Sequence, residues 1–142
     1  MKSLPQRKLT DLPMVTVDHS FSVKGVGEVV LGFVKKGILR KHDSLLLLPA
    51  NKEIVVRSIQ IQDKEVEAAE AGSRVGLAIK GATAEEMKRG SLLCPATSAT
   101  LASTISLSFT HNQFYTEHIK EGLFHVTVGM QTVPVNVTRC SQ

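Results

Sequence analysis

Short apolar alternations separated by turn residues constrain this chain more than any other feature of its sequence. Val supplies 16 of the 142 residues while Trp is absent, and β-branched side chains favour strands over helices. The alternation predicts strands at 14–23, 28–34, 44–48, 53–62, 74–80 and 91–94. The spacing predicts an all-β fold whose first unit is a six- or seven-stranded Greek-key β-barrel.

A helix-like segment interrupts this pattern at residues 83–90. Thr83 can cap it, Glu86 completes a capping box and Gly90 ends it, so the sequence predicts one or two helical turns. Residues 95–103 are small, polar and uncharged, as linkers between domains tend to be. We therefore expect two domains, at 1–97 and 98–142.

The second unit has three alternating stretches, at 104–110, 123–129 and 132–138. Pro134 cannot donate a ladder hydrogen bond, which predicts an edge strand or a bulge in the last stretch. Three strands form neither a closed barrel nor a sandwich, so this unit is predicted to be an incomplete β unit. Its apolar face needs a cover, either the first barrel or a second copy of the chain in a homodimer through 98–142.

The positive charge lies in the first unit, because residues 1–97 carry 15 Lys and Arg against 11 Asp and Glu, and residues 98–142 carry two of each. Such a charge favours either a phosphate-bearing partner or a solvated basic face. No apolar run approaches the ~20 residues that span a bilayer, and the start lacks an apolar signal segment. We expect a cytoplasmic protein without a membrane partner, with Cys94 and Cys140 reduced.

The motifs of common catalytic and metal sites are missing from the sequence. No Gly-x-x-x-x-Gly-Lys-Ser/Thr is present, and the glycines at 25–32 lead into a strand instead of a helix. The five His residues lack metal-ligand spacing, and no nucleophile motif occurs. The sequence therefore predicts no catalytic residue, no metal and no cofactor on this chain, and no enzyme. A small hydrolase stays open because a triad can be assembled in space.

Residues 18–32 resemble the opening hairpin of the second, β-barrel domain of translational GTPases of the elongation factor Tu class. Blocks at 56–60, 70–77, 80–81 and 88–93 resemble the rest of that domain in the same order. Asp18-His19 before Phe21, and the segment 128–135, are most similar to the selenocysteine-specific elongation factor and its archaeal relatives. The resemblance implies domain II at 1–97 and part of domain III at 98–142. It includes no GTPase domain, which would bind GTP and Mg²⁺ in a longer protein.

The resemblance also implies a pocket for the aminoacyl group, formed by Asp18, His19 and Arg74. A selenol is ionised at neutral pH, and Arg and His donors stabilise an anion by charge-assisted hydrogen bonds. For this pocket to form, we expect either a bulge or the end of the strand to bring Asp18 and His19 together. We also expect Arg74 on an adjacent strand, within ion-pair distance of Asp18. The alternative is a turn-capping Asp18, a half-buried His19 and a solvated Arg74.

Further residues are implied as contacts with RNA. Gln60 corresponds to a polar residue near the terminal adenosine of tRNA, or else it is a solvent-facing strand residue. Lys24, Lys35 and Lys36 are candidate phosphate contacts. Glu28 replaces the usual Thr of the family, and a carboxylate there would repel RNA phosphates. The expected partner is aminoacyl-tRNA or the ribosome, and the alternative is a protein-interaction module with exposed strand edges.

Overall fold

The computed structural model describes residues 12–108, 113–114 and 119–140, which form eleven strands. The chain divides into two compact units, Met1–Leu101 and Ala102–Gln142. The strands are β1 (Met14–Val23), β2 (Gly27–Lys36), β3 (Ile38–Arg40), β4 (Ser44–Leu48), β5 (Lys52–Ile61), β6 (Lys64–Val66), β7 (Ala68–Glu70), β8 (Arg74–Lys80), β9 (Leu92–Cys94), β10 (Gly122–Val128) and β11 (Gln131–Val137).

Six strands of the first unit close into an antiparallel barrel. Their order is β4-β9-β1-β2-β8-β5, and the pairing of β5 with β4 closes the ring. β6 adds to the free side of β5, while β3 and β7 form a separate two-stranded ribbon. Closure leaves none of the six barrel strands without a partner on either side. The predicted all-β barrel fold is confirmed.

The core is formed by aliphatic side chains from one face of the barrel strands, together with Leu39 of β3 and Met87 of the 83–91 loop. Twelve large side chains are fully buried: Leu39, Leu47, Ile54, Ile59, Leu77, Met87, Leu93, Val15, Val17, Val30, Val34 and Val56. Burial of each side chain of this size contributes roughly 1.5–3 kcal/mol relative to exposure. The residues between them on the same strands face outward, and this outer surface carries the candidate site.

Three predicted strands, 14–23, 44–48 and 74–80, have the bounds of β1, β4 and β8, and the other three barrel strands lie within two residues of their predicted ends. The three-residue strands β3, β6 and β7 were not predicted. A segment of three residues is too short to show an alternation.

The predicted helical turns at 83–90 are wrong, because this segment forms successive turns without a helix. Its amides bond three residues back, from Glu86 to the Thr83 carbonyl at 3.1 Å and from Met87 to the Ala84 carbonyl at 3.2 Å. Met87 enters the barrel interior and is fully buried. Packing of this side chain overrides the helical propensity of the segment. Half of the predicted capping box is present, since the Thr83 amide donates to Glu86 Oε2 at 3.0 Å.

The second unit contains the β10–β11 hairpin, in register from Gly122 opposite Val137 to Val128 opposite Gln131. Gly129 supplies a positive φ of 60° in its turn. Pro134 lies opposite His125 in a two-stranded sheet, so both strands are edges, as the proline predicted. The predicted strand at 104–110 is wrong for the described residues 104–108, which are not in a strand, while 109–110 lie outside the described residues.

Among the described residues, no helix has the length and hydropathy that crossing a membrane requires.

Candidate functional site

A β-bulge places two neighbouring polar side chains together on β1. Val17 pairs with Gly32 and His19 pairs with Leu31, so Asp18 has no partner on β2. In a regular strand, neighbouring side chains point to opposite faces, and an inserted residue removes that restriction. Asp18 Oδ1 and His19 Nδ1 are 3.2 Å apart. Of the two arrangements expected at this position, the bulge is present.

Three basic side chains surround the Asp18 carboxylate, and we call the four residues the Asp18 cluster. His19 Nδ1 and Arg89 Nε lie 3.2 and 3.4 Å from Oδ1, and Arg74 Nη2 lies 3.8 Å from Oδ2. The Asp18 side chain is only 13% exposed, whereas the three basic side chains are each more than 60% exposed. The cluster is therefore a shielded carboxylate under solvent-facing basic groups.

The contacts around Asp18 are ion pairs instead of well-formed hydrogen bonds. Oδ1 is buried and has no hydrogen-bond partner of good geometry among the described residues, although two nitrogens lie within 3.4 Å of it. The charges of Arg74, Arg89 and Asp18 sum to +1, without any contribution from His19. A small anion brought to this surface meets a net positive charge and Arg groups that Asp18 does not hold tightly.

Arg74 reaches Asp18 from a strand that is not adjacent to β1. The expectation of an adjacent strand is wrong, because β2 lies between β1 and β8. Arg74 is the first residue of β8 and pairs with Phe33 on β2, which in turn pairs with Thr16 on β1. The long Arg74 side chain crosses the outer face of β2, with its Cζ 5.6 Å from the centre of the Phe33 ring. The expected ion-pair distance between Arg74 and Asp18 is confirmed.

Arg89 was not predicted as a site residue. It comes from the 83–91 loop, which is fixed to β1 by backbone hydrogen bonds from Gly90 N to Val17 O and from Val17 N to Ser91 O, at 2.8 and 2.9 Å. The Ser20 hydroxyl adds a further anchor, within 2.8 Å of the Ala84 and Met87 carbonyl oxygens. No local pattern links residues 18 and 89, since only barrel closure brings them together.

Glu28 holds the same loop from the other side. Its Oε2 accepts from the Ala84 amide at 2.9 Å, and the Ser22 hydroxyl lies 2.9 Å from both carboxylate oxygens. Each of these donors interacts with a charged acceptor, the stronger kind of hydrogen bond. The carboxylate that departs from the family pattern therefore has a structural role at the end of the barrel.

Gln60 is exposed and lies apart from the Asp18 cluster. The pairing of strands places it in one row with His19, through Leu31 on β2 and Gly76 on β8. Three strand spacings separate Gln60 from His19, about 14 Å. Gly76 lacks a side chain between Leu31 and Gln60, and a Cβ there would lie 3.6 Å from Leu31 Cδ2. The row therefore has no side chain between Leu31 and Gln60.

The three candidate phosphate contacts, Lys24, Lys35 and Lys36, are all exposed but do not form one group. Lys24 lies in the turn before β2, and Lys35 and Lys36 end that strand. A strand of this length separates its ends by about 30 Å. Lys35 alone adjoins the Asp18 cluster, with Nζ 5.9 Å from the centre of the Phe33 ring.

Metal ligation and thiol chemistry have no evident place in the described residues. These residues contain no group of three His, Cys, Asp or Glu side chains that could hold a metal ion. Cys94 and Cys140 are free thiols, and burial raises the pKa of the Cys94 thiol. A buried thiol with a raised pKa is a poor nucleophile.

The family model and a named relative that match this chain are both of translation elongation factors. The family model of elongation factor Tu domain 2 matches residues 27–94. An uncharacterized protein of Methanocaldococcus jannaschii is 40% identical over 129 residues, covering 90% of this chain and 42% of that protein. The selenocysteine-specific elongation factor of the same organism is 34% identical over 137 residues, covering 93% of this chain and 29% of the factor.

Solved structures show the same similarity. The SelB elongation factor of Methanococcus maripaludis, in complex with a GTP analogue, superimposes with a TM-score of 0.72 and 32% identity, over 95% of this chain and 30% of that chain. A bacterial selenocysteine-specific elongation factor gives a TM-score of 0.60 and 30% identity over 63% of this chain and 16% of that one. The chain thus spans less than half the length of each of these relatives.

Proposed function

We propose that this chain, whose residues 27–94 match the family model of elongation factor Tu domain 2, is a cytoplasmic translation-factor module that binds the aminoacylated acceptor end of a tRNA. The observation that carries the proposal is the Asp18 cluster, in which basic groups from β1, β8 and the 83–91 loop converge on one shielded carboxylate. Its relatives of the selenocysteine-specific type support the assignment. A surface of this charge fits the charged end of a tRNA better than a neutral ligand.

The chemistry of an aminoacyl group suits the two signs of charge in the cluster. The α-amino group of the ester is a cation that can meet Asp18. An anionic side chain such as a selenolate can accept from Arg74 and His19, and a hydrogen bond to a charged group contributes about 1.5–3 kcal/mol. Exposed basic side chains beside a shielded carboxylate allow both contacts at one place.

The remaining candidate residues are proposed as contacts along the RNA. Gly76 carries no side chain beside Gln60, and we place a flat base of the tRNA end on this part of the outer face of the barrel. Lys35 and Lys36 lie at one end of β2 and Lys24 at the other, where each can meet a phosphate. In this proposal the chain contributes binding, while GTP and Mg²⁺ belong to a GTPase domain of a longer protein.

The test compares two arginine variants in binding to an acceptor-stem minihelix, charged with cysteine or selenocysteine, by fluorescence anisotropy. Arg74→Ala should weaken binding by about 10- to 100-fold, the equivalent of 1.5–3 kcal/mol. Arg57→Ala is the matched control, because Arg57 is an exposed arginine on β5 outside the cluster. Equal effects of the two variants would mean that Arg74 acts only by nonspecific attraction to the RNA. Absence of binding by the wild-type chain would refute the proposal.

The β10–β11 hairpin supports a second candidate, a protein-interaction module or homodimer. Leu123 and Val128 are 72% and 71% exposed, and each strand has one edge without a partner among the described residues. Exposed apolar side chains beside free edges are a typical site of strand addition. Sedimentation velocity tests the homodimer at protein concentrations of about 10–200 μM, the range in which a weak dimer dissociates. A monomer throughout this range would remove it.

A further inference from the structure

We propose that Phe33 is the positioning residue of Arg74 and thereby sets the geometry of the anion-binding side of the Asp18 cluster. This inference rests on the proposed function for its ligand but not for the contact itself. Phe33 and Arg74 are directly opposed on β2 and β8, so their side chains share the outer face. The Arg74 Cζ lies 5.6 Å from the centre of the ring, within the range of a cation–π contact.

Arg74 needs such a second restraint because its ion pair alone does not fix it. The Nη2 to Oδ2 distance is 3.8 Å and the Arg74 side chain is 64% exposed. An exposed ion pair of this length is weak, since solvent screens it and the long side chain loses conformational entropy when ordered. The Phe33 ring supplies a rigid apolar surface with only two rotatable bonds of its own. A guanidinium held against it keeps its remaining donors directed to solvent, where a ligand can reach them.

Lys35 gives the matched comparison within the same surface. Its Nζ is 5.9 Å from the same ring, two residues along β2 from Phe33 and on the same face. Lys35 has no contact with Asp18 among the ion pairs of that carboxylate. Removal of Lys35 changes the local charge and leaves the Phe33–Arg74 contact in place. Removal of the ring changes the contact and leaves the charge in place.

The first experiment observes Arg74 directly, through the Nε–Hε signal of its side chain in an NMR spectrum, assigned by its absence in Arg74→Lys. In the wild type, the Phe33 ring current should shift this signal upfield of the other arginines. Phe33→Leu should remove the shift, Phe33→Trp should retain one, and Lys35→Ala should leave it unchanged. An unshifted wild-type signal, or a shift that survives in Phe33→Leu, would overturn the inference.

The second experiment measures affinity for the same minihelix, charged with selenocysteine. Phe33→Leu should weaken binding about 3- to 10-fold, and Phe33→Trp should restore it. Melting temperature controls for folding. If Phe33→Leu does not fold, nuclear Overhauser contacts between the Arg74 Hε and the Phe33 ring in the wild type decide the question. If the wild type shows the ring-current shift but does not bind the minihelix, the proposed function fails while the positioning of Arg74 stands. Unchanged affinity in a folded Phe33→Leu variant would overturn the role in binding.

Discussion

The closed barrel and the β10–β11 hairpin are built from the same alternation of apolar and polar residues, but they differ in what covers their apolar faces. Each of the six barrel strands pairs on both sides, and each contributes buried side chains to the core. Within the described part of the chain, each hairpin strand has one partner, and none of its residues is buried. The alternation therefore reports that a strand forms, whereas burial depends on how many strands can close around a common interior.

Amide hydrogen exchange should give the largest contrast between the two regions. A two-stranded hairpin is marginally stable in water, whereas the central amides of a closed barrel open only with global unfolding. Amides of β1, β2 and β8 should exchange more slowly than those of β10 by a factor on the order of 10³ or more. Exchange followed by two-dimensional NMR measures this, and equal protection in both regions would break the comparison.

Truncation of one aliphatic side chain in each region should separate them next. Ile59→Ala should destabilise the barrel by about 2–5 kcal/mol, since the side chain is fully buried and leaves a cavity. Leu123→Ala should change the free energy of unfolding by less than about 0.5 kcal/mol, because Leu123 is 72% exposed. Urea unfolding monitored by circular dichroism gives both values. A large effect at Leu123 would contradict its exposure and mean that another surface covers the hairpin in solution.

Two glycine substitutions sharpen the comparison at the backbone. In Gly32→Ala the new Cβ would lie 2.5 Å from the Thr16 carbonyl oxygen, so β1 and β2 must shift. This shift should lower the free energy of unfolding by about 1–3 kcal/mol or more. In Gly129→Ala no atom lies within 4 Å of the new Cβ. The only cost is that of an alanine at the left-handed φ of 60°, about 1 kcal/mol. Urea unfolding followed by NMR signals of each unit separates the two effects. The reverse order would contradict the close packing of the barrel backbone.

The 83–91 loop tests whether side chains can hold a segment that has no regular structure. Glu28→Gln keeps the size of the side chain but replaces a charged acceptor of the Ala84 amide, and should reduce stability by about 1–2 kcal/mol. Glu53→Gln, at an exposed position on β5, is the matched control and should have little effect. Thermal unfolding of both variants measures the difference. Equal melting temperatures would show that the Glu28 contact does not stabilise the loop.

The smallest expected effect is a pH dependence at the same loop. The hydrogen bond from Lys52 Nζ, and then that from the Thr83 amide, lower the pKa of Glu86 from 4.5. A carboxyl whose pKa falls on folding stabilises the folded state above its unfolded value, and this stabilisation is lost as the pH falls through the lowered value. The melting-temperature difference between wild type and Glu86→Gln should therefore shrink as the pH drops below 4.5. A difference that stays constant into acid would contradict the assignment.

Local signals account for most of what the sequence predicted correctly. β1, β4 and β8 have the predicted bounds because each combines a clear alternation with turn residues at its ends. The prediction of helical turns at 83–90 was wrong because tertiary contacts decide this segment. These are the burial of Met87 and the hydrogen bonds of the Ser20 hydroxyl to two loop carbonyls, and local sequence does not show them. The sequence likewise gave no sign of Arg89 in the site, because the contact with Asp18 spans 71 positions.

The bulge at Asp18 also decides how this strand can vary. Before it, Val15 and Val17 point inward; after it, Ser20 lies opposite the buried Val30 and takes the inward place, so the strand changes parity. A substitution at residue 18 keeps the bulge, whereas deletion of residue 18 would make the strand regular, with His19 still outward opposite Leu31 and Ser20 still inward opposite Val30. The bulge thus adds the Asp18 carboxylate to β1 without changing which of the flanking side chains face the barrel interior.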